Sequence, residues 1–196
     1  AAEQDISVKT HIPINELQYL CKTHPQTTFI IDESYLPFVI EAEKESMVNS
    51  GLENVIVLAS LSKIFKIPGL RIGFVIAAPK ILKSIRQRLL PWSVNSLAQA
   101  AVRFVNRQNK HTQAFVQKSR LYFEDQRKLF YQYLKEISGL RLYPSRAPYI
   151  LIRLPAATNS DDVWTHFMKE KILIRNCSNF SGLTDRYIRI SLKTPE

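Results

Sequence analysis

Lys63 sits in the run Ser60-Leu61-Ser62-Lys63-Ile64-Phe65-Lys66-Ile67-Pro68-Gly69-Leu70-Arg71-Ile72-Gly73-Phe74, with apolar residues on both sides. That frame predicts a partly desolvated ammonium, which favours the neutral amine that attacks a carbonyl. Ser60, Ser62 and Arg71, the last eight residues beyond the lysine, form an anion-binding set that needs no glycine loop. On residue types alone, Ser-Lys followed by Pro-Gly also describes an ordinary surface turn. Asp32 follows the apolar run Thr28-Phe29-Ile30-Ile31 and is either a turn cap or a carboxylate offered at a strand end.

Two more arginines lie near the C-terminus. Arg186-Tyr187-Ile188-Arg189-Ile190-Ser191 alternates like a strand, which turns Arg189 away from the face of Ile188 and Ile190. Ile172-Leu173-Ile174-Arg175 ends a second apolar run in an arginine. An arginine on an edge strand is most often simply solvated.

Other chemistries find little support. His11, His24, His111 and His166 are scattered, with no second metal ligand at a usable spacing. No Gly-x-Ser-x-Gly elbow marks a serine hydrolase. Only 5 glycines occur in 196 residues, and they spell neither a P-loop nor a dinucleotide fingerprint. Any phosphate must then be held by arginines, hydroxyls and helix ends. Cys21 and Cys177 could form at most one bridge, and buried free thiols fit a cytoplasmic chain better.

The net charge is +10, and all of it is local. From Lys80 to Lys135 there are 12 basic residues against 2 acidic ones; the remainder of the chain balances. Such a stripe could serve a basic nucleic-acid-binding module, but no aromatic stacking pattern interleaves it, so solvated helix faces are the favoured reading. With 45% hydrophobic residues the composition is that of a globular protein, and no apolar run is long enough to cross a membrane. The start, Ala1-Ala2-Glu3-Gln4-Asp5, lacks the basic flank and apolar stretch of a secretion signal.

The positioning elements follow from periodicity. Pro13 to Cys21 reads as a short helix, and Thr28–Ile31, Val55–Ala59 and Ile72–Ala77 as buried strands. Continuous apolar strands between helical stretches predict an α/β fold with a mostly parallel sheet covered on both faces by helices. Helices are expected from Pro79 to about Leu90, from about Asn95 to Val105, and from His111 to Ile137, ended by Gly139. The longest pairs Phe115, Tyr122, Leu129 and Tyr133 with Val116, Phe123, Phe130 and Leu134, predicting a wide buried face. Beyond it come strands at Leu140–Tyr143, Tyr149–Leu154, Ile172–Arg175 and Tyr187–Leu192 around a helix at Asp161–Glu170. The expected organisation is an α/β domain over 1–110, a linking helix over 111–138, and a small α+β domain over 139–196.

The pattern Ser-x-Ser-Lys-x-Phe-x-x-Pro-Gly-x-Arg-x-Gly at 60–73, preceded by Asp32-Glu33-Ser34-Tyr35, resembles fold type I pyridoxal-phosphate (PLP) enzymes. The likeness is to the aminotransferase class that contains histidinol-phosphate aminotransferase. It implies that Lys63 carries the cofactor and moves protons at the substrate α-carbon. It also implies that a buried Asp32 keeps the ring nitrogen protonated, Tyr35 donates to the ring oxygen, and Ser60, Ser62 and Arg71 hold the phosphate. By the same resemblance Arg189 grips a substrate carboxylate and Arg175 lies near its distal anion, in a homodimer.

Two further segments, Arg88 to Ala98 and Ile174 to Leu183, resemble threonine-phosphate decarboxylases of cobalamin biosynthesis more than histidinol-phosphate aminotransferases. The implied reaction is decarboxylation of a phosphorylated amino acid, with transamination as the alternative. Pro148-Tyr149 departs from the family, which usually has asparagine before the aromatic residue. The resemblance places the family's remaining phosphate turn, ring-stacking aromatic and Asn-Pro-x-Gly loop upstream of Ala1, and a final helix beyond Glu196.

Overall fold

The computed structural model describes residues 12–193, so the readings made on His11, on the first five residues and on Thr194-Pro195-Glu196 lie outside it. The described residues fall into two compact units, Ile12–Arg120 and the residues from Leu121 onward.

The first unit contains α1 (Ile14–Thr23), β1 (Phe29–Asp32), α2 (Ala42–Glu45), β2 (Val55–Ser60), α3 (Leu61–Ile64), β3 (Gly73–Ala77), α4 (Pro79–Arg86) and α5 (Ser96–Arg107). Its sheet runs β1-β2-β3, with β1 parallel and β3 antiparallel to β2. One sheet face supplies Val55 and Val57, which pack with Cys21 and Met47, flanked by Phe29, Ile31, Leu17 and Ile76. Ile30, on the opposite face, is 64% exposed.

Helix α6 (Asn109–Lys135) passes from the first unit into the second, which continues with β4 (Arg141–Leu142), β5 (Tyr149–Arg153), α7 (Ser160–Lys169), β6 (Arg175–Asn176) and β7 (Tyr187–Ser191). Its antiparallel sheet has the order β4-β5-β7-β6. Ile150, Ile152, Ile188 and Leu192 form a core with Leu134, closed by Phe123 and Phe130 of α6 and Val163 and Phe167 of α7.

Three expectations need correction. The row of α6 that packs is Phe123, Arg127, Phe130 and Leu134, with Arg127 and Leu134 buried and the two phenylalanines partly so, a spacing that tracks one face. Phe115, Leu129 and Tyr133 are 46%, 43% and 62% exposed, so three of the eight residues of the expected double stripe stay in solvent. Helix α4 stops at Arg86, short of the expected end, and Leu89 and Leu90 beyond it are exposed. Ile172 and Leu173 are exposed connectors after the left-handed Lys171, and the strand starts only at Arg175. Gly139, at φ +81°, makes the turn after α6, where a Cβ would meet Pro155 at 3.0 Å.

Cys21 and Cys177 are both buried and unbridged. Among the described residues no helix is long and apolar enough to cross a membrane. Lys80, Lys83, Arg86, Arg103, Arg107 and Lys110 are exposed, as solvated helix faces would be.

Candidate active site

Strand topology brings the marked residues of the first unit to one end of its sheet. β1 and β2 are parallel, so Asp32, the last residue of β1, and Ser60, the last of β2, finish at the same end. β3 is antiparallel, so its first residue, Gly73, pairs with Ser60 and returns the chain there. Arg71 is two residues earlier. Ligands of α/β sheets collect at this carboxyl end.

The loop between β2 and β3 is closed at its neck. Ser62 is buried, and its hydroxyl donates to the Ile72 carbonyl at 3.1 Å. Ser62 therefore braces the loop, contrary to the expectation that its hydroxyl faces a phosphate. Gly73 lies so close to β2 that a Cβ would stand 2.6 Å from the Ala59 carbonyl oxygen, which only glycine permits. Lys66 and Arg71 are both left-handed, at φ 53° and 52°, a costly conformation for residues with a Cβ.

Lys63 lies in the single turn of α3 and is exposed. A partly desolvated ammonium was expected here, whereas the residue is exposed while its apolar neighbours Ile64 and Ile72 are buried. Its Nζ stands 5.7 Å from the centre of the half-buried Tyr35 ring. Ser60 caps α3 by accepting from the Ser62 backbone N–H at 3.2 Å, which leaves its own proton to donate. Arg71 makes one long bond, 3.4 Å, to the Pro68 carbonyl. Asp32 accepts from the Ser34 N–H at 2.9 Å and is exposed, where a buried carboxylate was expected.

The Tyr35 loop is pinned by residues that the sequence reading missed. Arg120 donates from Nε to the Pro37 carbonyl at 3.0 Å and from Nη2 to Glu43 at 2.8 Å. The Arg120 hydrogen bond holds the Glu43 carboxyl below its usual range. Glu33 accepts from the Met47 N–H and the Ser46 hydroxyl, both at 2.7 Å. Nothing in the sequence separated Arg120 from the eleven other cations of its basic stretch.

In the second unit, Arg175 and Arg189 are directly paired across β6 and β7. The Arg189 guanidinium lies 4.6 Å from the centre of the buried Tyr149 ring, and its Nε is buried with no hydrogen-bond partner. Arg175 donates to Asn179 at 3.2 Å and lies 5.1 Å from the Phe180 ring. Arg127, in the packed row of α6, donates to the Ala147 carbonyl at 3.0 Å and to Glu124. Tyr131 donates to the Tyr143 carbonyl, so α6 holds both ends of the loop that leads to Tyr149. Arg127 was legible in principle, as a cation at a core position of a helix.

An amine, a carboxylate, a phenol, a hydroxyl and a guanidinium at one sheet end match an aromatic aldehyde that carries a ring nitrogen, a ring hydroxyl and a phosphate. The donor set fits PLP.

A family model described as aminotransferase class I and II matches residues 10–196. The chain is 35% identical to the adenosylcobalamin biosynthesis bifunctional protein CobDQ of Leptospira interrogans, over 92% of this chain and 20% of that protein. It is 30% identical to threonine-phosphate decarboxylase of Salmonella typhimurium, covering 84% of this chain and 44% of that one. The structure of histidinol-phosphate aminotransferase from Clostridium acetobutylicum superposes with a TM-score of 0.84 at 26% identity, over 93% of this chain and 55% of that one. The chain therefore spans less than half the length of these two curated relatives.

Proposed function

This chain belongs to the aminotransferase class I and II family, whose members are PLP-dependent decarboxylases and aminotransferases, and on that premise we propose that it serves a PLP-dependent decarboxylase of a phosphorylated amino acid. The substrate we assign is threonine phosphate, giving aminopropanol phosphate for cobalamin biosynthesis, in a cytoplasmic homodimer. The observation that carries this reading is the direct cross-strand pairing of Arg175 with Arg189, two cations suited to a substrate with a carboxylate and a phosphate.

Each residue has a role that follows from its chemistry. Arg189 would hold the substrate carboxylate, and Arg175 its phosphate. Asp32 would keep the ring nitrogen protonated, Tyr35 would donate to the ring oxygen, and Ser60 and Arg71 would donate to the cofactor phosphate. When bound, PLP supplies an electron sink for the pair released at the α-carbon. Lys63 would then deliver a proton to that carbon, which replaces carbon dioxide without net redox change. Decarboxylation needs the Cα–carboxylate bond perpendicular to the ring, and transamination needs the Cα–H bond there, so the grip of Arg189 selects between them.

The test uses the full-length protein with PLP and O-phospho-L-threonine. Release of carbon dioxide with no keto acid acceptor supports the proposal. Amino-group transfer that depends on a keto acid supports the aminotransferase alternative, favoured by the likeness to histidinol-phosphate aminotransferase. Borohydride should fix the cofactor to Lys63; labelling elsewhere would defeat both readings.

A further inference from the structure

The face of the β4-β5-β7-β6 sheet that carries Arg189 repeats one arrangement. Arg141 pairs directly with Arg153 across β4 and β5, as Arg175 does with Arg189 across β6 and β7. Leu151, two residues before Arg153, pairs with Arg189. Strand alternation then puts all four arginines on one face, in two rows separated by about 7 Å along the strands.

Like charges directly opposed on a sheet are destabilising unless something neutralises them. Among the described residues none of the four arginines forms an ion pair. The first row also has hydroxyl donors beside it. Tyr187 pairs with Arg153 in register, and its hydroxyl is 3.3 Å from that of Tyr143. The Arg141 guanidinium lies 5.2 Å from the Tyr143 ring centre. Burial and the Tyr187 phenol push the Tyr143 hydroxyl's pKa up, while the charges of Arg141 and Arg153 oppose them, so both guanidiniums act on one phenol.

We infer that Arg141 and Arg153, with the hydroxyls of Tyr143 and Tyr187, form an oxyanion site for a phosphate dianion, either free or as the end group of a monoester. The site is separate from the Arg175–Arg189 pair and stands whether or not the decarboxylase reading does. Two guanidiniums bounded by two phenols match one tetrahedral anion, whereas a nucleic-acid backbone needs a longer track of cations.

The experiment measures the thermal midpoint of the full-length, PLP-saturated protein against inorganic phosphate, with potassium chloride at matched ionic strength as control. A saturable rise with phosphate beyond that with chloride is expected, because the anion binds the folded state alone. The comparison is made in an R175Q/R189Q background, which removes the substrate-anion pair; there R141Q/R153Q should weaken the remaining apparent affinity about tenfold or more. R141Q alone removes one exposed side chain and should still weaken binding if the double variant folds poorly. Methyl phosphate separates the sources: tighter binding than inorganic phosphate marks a monoester, weaker binding the free ion. An equal rise with chloride, no phosphate response left in R175Q/R189Q, or one that R141Q does not weaken in that background, overturns the assignment.

Discussion

Arg175 and Arg189 stand side by side on adjacent strands, one exposed and the other half-buried with an orphaned Nε. The pair is electrostatically unfavourable in the free protein, yet it matches a dianionic ligand. That combination separates what helps the fold from what helps binding.

Replacing Arg189 with Gln should therefore move stability and binding in opposite directions. Relief of the opposed charges should stabilise by about 0.2–1 kcal/mol in urea unfolding. Loss of a charged hydrogen-bonding pair should raise the KM for a carboxylate substrate by roughly 10–100-fold. A variant that loses stability and keeps its KM would contradict the assignment of Arg189 to the carboxylate.

Gly73→Ala tests the close approach of β3 to β2. The new methyl would sit 2.6 Å from the Ala59 carbonyl oxygen, so the strands must part. The expected cost is about 1–3 kcal/mol, read from the denaturant midpoint. The variant should also bind PLP more weakly, since Ser60 and Arg71 flank the same pairing.

Arg127→Met should leave the Ala147 carbonyl and the Glu124 carboxylate without their donor. Glu124 keeps Lys128 at 3.5 Å and is 31% exposed, so we expect a loss of about 1–3 kcal/mol. Burial raises the Glu124 pKa, but the hydrogen bond and charge of Arg127, with those of Lys128, outweigh it and hold the pKa below its usual range. A depressed carboxylate stabilises the fold above its unfolded-state pKa and loses that contribution as the pH falls through its folded value. The gap between wild type and Arg127→Met should thus narrow on acidification below about pH 4. Urea midpoints at pH 7 and pH 3 would check this, and a constant gap would contradict it.

Arg120→Lys should keep an ion pair with Glu43 and lose the bond from Nε to the Pro37 carbonyl. Tyr35 should become more mobile while the secondary structure stays intact. Weaker PLP binding, by roughly threefold to tenfold in an absorbance titration, is the expected result, equivalent to one neutral hydrogen bond. Unaltered PLP affinity would remove Arg120 from the support of the site.

Much of the frame was legible because it rests on local patterns. Apolar runs marked β1, β2 and β3, and the Lys63 motif fell on the loop between the last two. What escaped depends on contacts between distant residues. The inward turn of Ser62 follows from the Ile72 carbonyl ten residues away. The failure of Leu129 and Tyr133 to bury follows from which side of α6 the second sheet takes. The pairing of Arg175 with Arg189 required strand register, which apolar periodicity cannot supply.

Strand β1 has β2 as its sole neighbour among the described residues, and its Ile30 faces outward. A bare row of amide and carbonyl groups beside an oily side chain is a template for fibril-like stacking. The purified chain should self-associate along that border. Any oligomer the chain forms in that way would report this stickiness.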